Sequence, residues 1–104
     1  MGKGEFWDDG QLKREILKHL QSERFVFTKH AIEEQENDGI YYQDTLQVLR
    51  NGIHEKEKTG FDNKYQVWKY AIRGMTEDSK IVRVIISFNK NMMIITVMKL
   101  RNHK

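Results

Sequence analysis

A chain of 104 residues, 38% apolar and 32% charged, can bury one compact core and little more. It contains no Cys, which excludes disulfides, thiolate metal sites and thiol nucleophiles and fits a reducing compartment. Net charge is +3, unevenly placed: residues 1–52 carry 7 Lys/Arg against 10 Asp/Glu, and residues 53–104 carry 11 against 5. The second half, net +6, is expected to build a surface that attracts an anion, either nucleic acid or an acidic protein.

The N-terminal "MGKGEFWDDG" is polar and lacks the apolar stretch of a signal peptide. The longest apolar run, "MMIITVM", is interrupted by Thr96 and is too short to cross a bilayer. A soluble cytosolic protein with no membrane contact is expected. Pro is absent and Gly occurs only seven times, so no flexible linker divides residues 1–104, which read as a single domain.

Residues 11–22, "QLKREILKHLQS", set Leu12, Ile16, Leu17 and Leu20 on one helical stripe, with His19 beside it. A second helix is predicted over 29–37, with Thr28 as its N-cap and "NDG" as its stop. Its apolar face is thin, chiefly Ala31 and Ile32, so it should rest on the body along one edge. A third helix, near 42–50, should bury Leu46 and Leu49 and end at "NG".

The hydrophobic period then changes. "YQVWKYAIR" (65–73), "IVRVIISF" (81–88) and "MMIITVMKL" (92–100) are β-branched and aromatic, and a weaker strand is expected at 53–58. "NKN" between the last two runs predicts a short hairpin. The expected fold is α+β, with three N-terminal helices packed on a four-stranded, mostly antiparallel sheet. Period two sends Trp68, Tyr70, Ile72, Val82, Val84, Ile86, Phe88, Met93, Ile95 and Val97 toward the helices. Lys69, Arg73, Arg83, Ser87 and Thr96 then share the opposite face, provided that no bulge intervenes.

The ordered motifs "FTKHA", "DGI", "VLRNG", "WKYAIRG", "VRVIISF" and "IITV" resemble a family of small bacterial domains of unassigned function, over residues 25–98. Its signature is F-[ST]-x-H-A, followed by G-I, an R-V strand and a closing T-V. That family is grouped with RelE-like toxins of the barnase–colicin–RelE fold group. The resemblance implies a metal-independent ribonuclease encoded beside an antitoxin, with marked residues at His30, Arg83 and Thr96 and no cofactor. The chain departs from the pattern where family members carry Arg–Met after His-Ala and Arg before Gly-Ile. Glu34, Gln35 and Asp38 stand there instead, which removes two cations from the helix.

Metal-free RNA cleavage needs a base for the 2′-hydroxyl, cations for the developing phosphate charge and an acid for the leaving oxygen. His30 suits the acid or base role, because an imidazole titrates near neutral pH. Arg83 can clamp two phosphate oxygens through its fork of donors. Lys69 and Arg73 add charge, Thr96 can orient a donor, and Trp68 or Tyr70 can stack on a base if exposed. Each residue also has a structural reading. His30 can fix a helix start, and Arg83 can pair with Glu33 or another acid. Lys69 and Arg73 can be solvated cations, Trp68 and Tyr70 core residues, and Thr96 a strand former. His30 and Glu34 share a helix face at ligand-like spacing, but a pair without a third ligand is poor evidence for a metal. Two functions follow: a toxin-type endoribonuclease acting through His30 and Arg83, or a non-catalytic module of the same fold. RNA and an acidic antitoxin-like protein are the partners expected.

Overall fold

The computed structural model describes residues 6–100. The first helix, α1 (Asp9–Gln21), starts where the Asp8 carboxylate accepts the Gln11 N–H at 2.9 Å. It buries Leu12, Ile16 and Leu20, but Leu17 turns out of the expected stripe and is exposed. Adjacent helical positions lie 100° apart, and the sheet is wide enough to cover Ile16 but not its neighbour. His19 completes the buried face, with its Nδ1 2.7 Å from the Glu15 carbonyl.

The next helices are α2 (Lys29–Asp38) and α3 (Tyr42–Asn51), close to their predicted limits. Gly39 ends α2 at φ 68°, a left-handed conformation that glycine adopts without a Cβ clash. The Asp44 carboxylate accepts the Tyr41 N–H at 2.9 Å and fixes the start of α3. Leu49 from α3 is fully buried, whereas Leu46 is only half-buried against the core.

Six strands form among the described residues, two more than the sequence pattern indicated. They are β1 (Phe25–Phe27), β2 (Ile53–His54), β3 (Gly60–Asp62), β4 (Val67–Met75), β5 (Ile81–Asn89) and β6 (Asn91–Lys99). The main order is β1-β6-β5-β4-β2, with β3 also on the edge of β4. Pairing is antiparallel except between β1 and β6. β1 and β3 have three residues each, too few for an alternation to register. The strand expected at 53–58 stops at His54, and a 3-10 turn, Lys56–Lys58, replaces its second half. The "NKN" hairpin closes as predicted, with Lys90 at φ 71°.

One bulge corrects the face assignment. Pairing shifts by one between Ile85↔Thr96 and Ile86↔Ile94, so Ile95 has no direct partner. Met92, Ile94 and Val97 therefore occupy the core, in place of the expected Met93, Ile95 and Val97. Thr96 and Met98 stay on the far face, opposite Ile85 and Arg83. In β4 and β5 the expected faces hold: Ile72, Val84 and Val97 form one buried row, and Tyr70, Ile86 and Ile94 the next.

Beyond the bulge, no strand among the described residues covers the outer side of β6, because β1 ends at Phe27. The start of α2 takes that place. Thr28 N–H donates to the Ile94 carbonyl at 3.0 Å, and Thr28 Oγ1 donates to the Ile95 carbonyl at 3.1 Å. The same hydroxyl accepts the Ala31 N–H at 3.1 Å, so one Thr caps the helix and fastens it to the sheet.

Gly52 marks the tightest backbone approach. A Cβ there would stand 2.6 Å from both the Val48 and the Arg73 carbonyl oxygens, where α3 meets β4. Gly52→Ala should therefore cost about 2 kcal/mol, or roughly 10 °C in Tm by thermal circular dichroism. Gly60→Ala, whose Cβ meets nothing within 4 Å, should melt within about 3 °C of wild type, a shift of about 0.5 kcal/mol or less. Equal melting of the two variants would contradict the contact.

Candidate functional site

The sheet face turned away from the helices carries Lys69, Ala71 and Arg73 from β4, Arg83, Ile85 and Ser87 from β5, and Thr96 and Met98 from β6. A depression of about 610 Å³ opens there, bordered by Lys58, Asp62, Lys69, Ile85, Thr96 and Met98. Alternation and antiparallel pairing explain why these side chains meet, since directly opposed residues emerge on one face.

Arg83 is already engaged. Its Nε donates to Glu55 Oε1 at 2.6 Å and its Nη2 donates to Glu55 Oε2 at 3.2 Å, a two-point fork. Arg73 Nη1 lies 3.8 Å from the same carboxylate. The Glu55 side chain is 5% exposed and that of Arg83 16%, whereas Arg73 is about half exposed. The hydrogen bonds from Arg83 hold the Glu55 carboxyl below its ordinary value, outweighing burial, which raises it. Lys69 Nζ sits 2.9 Å from Asp62 Oδ2, and that pair lowers the Asp62 pKa.

His30 occupies the β6 edge and is largely exposed. Its Nε2 is 3.2 Å from Glu34 Oε2, and Glu34 Oε1 accepts the Val97 N–H at 2.9 Å. The imidazole is thus hooked, through one carboxylate, to the residue that follows Thr96. Glu34 satisfies a backbone donor on the open outer side of β6 and steadies a histidine.

His30 and Arg83 have separate partners, Glu34 and Glu55. Thr96, Lys69, Arg73 and Arg83 do share the far face. Tyr70 does not: it is buried on the helical side, where its hydroxyl accepts the Trp7 N–H at 3.0 Å, which leaves no face for a base. Trp68 is half-buried on that side, packed edge-on against Phe6 and Phe61.

Two features escaped the sequence reading. The first is Glu55, which the strand alternation at 53–58 could have put on the face of Arg73 had its register on β4 been known. The second is His54, buried between Asp9 and Thr59. Its Nδ1 is 2.8 Å from Asp9 Oδ1 and its Nε2 is 2.9 Å from Thr59 Oγ1. The row looks like a carboxylate–imidazole–hydroxyl relay, but the hydroxyl is fully used. Thr59 Oγ1 also donates to the Glu55 carbonyl and accepts the Ala71 N–H, both at 3.1 Å. Its effect is to lock the β2–β3 connection and so aim Glu55. The His54 hydrogen bond also keeps the Asp9 carboxyl below its ordinary value.

Among the described residues, no group of three or more His, Cys, Asp or Glu is arranged to hold a metal ion. No described helix is long and apolar enough to cross a membrane. Residues 27–99 match the family described as Domain of unknown function (DUF4258), and the chain belongs to it. No curated protein and no solved structure matched the chain.

The Glu55–Arg83 pair makes stability depend on pH. A carboxyl whose folded pKa lies below its unfolded value, 4.5 here, adds its full stabilisation above that value. The contribution is lost as pH falls through the lowered folded pKa. Urea unfolding should show Glu55→Gln less stable than wild type by about 3 kcal/mol near neutral pH, since Arg83 is left without its partner. The gap should narrow steadily on acidification below 4.5. A gap unchanged in acid would contradict the assignment.

Proposed function

We propose that this chain binds RNA on the sheet face opposite its helices and that His30, at the β6 edge, is the acid or base for metal-independent cleavage. The observation that carries this reading is a depression lined by Lys58 and Lys69 on the sheet face that also carries Arg73 and Arg83, with Asp62 paired to Lys69 and Glu55 to the two arginines. Phosphates dominate nucleic-acid affinity, and an exposed Arg73 on the same sheet face as Lys69, with Lys58 at the depression's border, supplies the charge they require. Thr96 and Met98 offer a hydroxyl and an apolar, polarisable surface on the same face.

The catalytic part rests on His30. A carboxylate within hydrogen-bonding reach of an exposed imidazole orients it, as a proton-transfer group requires. The 2′-hydroxyl would lose its proton to the ring, the 2′-oxygen would attack phosphorus, and the 5′-oxygen would leave with a proton. Three helices beside a mostly antiparallel sheet are compatible with the RelE-like toxin group. An acidic antitoxin-like protein in the cytosol would find the same cationic face.

A second reading is favoured by one feature. Arg83, the clamp that cleavage would use, has both ends of its fork on Glu55. A domain that binds RNA at Arg73, Lys58 and Lys69 without cutting it fits that arrangement.

Labelled single-stranded RNA incubated with purified protein in EDTA separates the two. Under the nuclease reading, His30→Ala slows cleavage by about a hundredfold or more while leaving affinity intact. Under either reading, Arg73→Ala and Lys69→Ala weaken binding and each reduce the slope of log K against log salt by about one. Binding without cleavage would leave only the module. No RNA binding by wild type would contradict both.

A further inference from the structure

The α2–α3 corner bears a second surface of opposite character. Ile32, Gln35 and Glu36 of α2, with Ile40, Tyr41 and Tyr42, enclose a groove of about 650 Å³. Tyr41 is 75% exposed and Tyr42 48%, unusual for two adjacent aromatics beside a concavity. The walls are fixed. Ile40 N–H donates to the Gln35 carbonyl at 2.9 Å, and Thr45 Oγ1 donates to the buried Gln35 side chain. Asp44 holds the Tyr41 backbone, and the Tyr42 ring meets the edge of Phe27 at 4.8 Å.

Charge identifies the occupant. Residues 30–49 contain five acidic side chains and no Lys or Arg. Glu34 and Asp44 are used internally, which leaves Glu33, Glu36 and Asp38 around the corner with no ion pair among the described residues. Such a rim repels phosphates, so nucleic acid does not fit here. Preformed walls limit the ordering cost of binding, and tyrosines are frequent energetic anchors of protein interfaces.

We infer that the α2–α3 groove is a protein-docking site for a cationic amphipathic segment: an apolar side chain seated between Ile32, Ile40 and Tyr41, with flanking Lys or Arg on Glu33, Glu36 and Asp38. The site is separate from the cationic sheet face and does not depend on the RNA reading. One molecule would then present an anion-binding face and a cation-binding face to two different partners.

The test is an NMR titration of the ¹⁵N-labelled full chain with a helical peptide of lysine and leucine, beside its glutamate–leucine counterpart. The lysine peptide should shift amide resonances of residues 32–43, and the glutamate peptide should not. Tyr41→Ala should weaken the lysine peptide by about tenfold and Glu36→Lys by about fivefold. Glu57→Lys, an exposed change in the 3-10 turn beside the opposite sheet face, should leave binding within about twofold, which controls for general attraction. The site is refuted if residues 32–43 do not shift, if both peptides shift them alike, or if Glu57→Lys weakens binding as much as Glu36→Lys. Self-association of the chain that Tyr41→Ala abolishes would overturn the cationic partner and assign the groove to a second copy.

Discussion

A buried carboxylate, Glu55, sits between two arginines on the face of the sheet that would otherwise be its most cationic region. It joins β5 to the connection between β2 and β3, and it is near enough to Arg73 to temper that charge as well. Two charges withdrawn from water cost several kcal/mol each unless they meet in good geometry. The two-point fork provides that geometry. Whatever anion binds this face must do so mainly through Arg73, Lys58 and Lys69, or compete with Glu55 for Arg83. The pair is held from behind, because Asp9, His54 and Thr59 fix the turn that delivers Glu55. The first turn of α1 thus constrains a site on the other side of the sheet.

The β6 bulge plays the corresponding part at the other edge. It moves the core positions from Met92 and Ile94 to Val97 and leaves backbone groups that no strand satisfies. α2 satisfies them with Thr28 and Glu34, and His30 lies one turn before Glu34 on the same stripe. The residues around "FTKHA" therefore have a demanding structural task before any chemistry is asked of them. That task accounts for Thr28 and Ala31 fully, and for His30 only in part, since an exposed ring is not required to place Glu34.

Much of this was legible in the residues themselves. Helix limits followed from caps and periodicity, and the far face followed from alternation in β4 and β5. What escaped notice has physical reasons. Three-residue strands such as Phe25–Phe27 carry no period, and pairing supplied by a parallel neighbour distant in sequence is invisible locally. The bulge at Ile95 is one extra residue in a run where every side chain is apolar or β-branched, so either parity looked acceptable. A pair with an acid was the structural alternative to Arg83 as a phosphate clamp, but choosing Glu55 over Glu33 required the register of β2 on β4. The buried His54 row gave no signal, because Asp9 lies 45 residues before His54 in the sequence.

The two surfaces stand apart in charge as the two halves of the sequence do: acidic exposure on α2, cations on the sheet. The account of the sheet face rests on the coupling between Glu55 and Arg83. A double-mutant cycle with Glu55→Gln, Arg83→Gln and the double variant, read by urea unfolding, measures it directly. The structure predicts a coupling energy of about 2 kcal/mol or more, with the double variant more stable than either single change alone would suggest. Additive effects, within about 0.5 kcal/mol, would show that the two side chains stabilise the fold independently and would contradict the account.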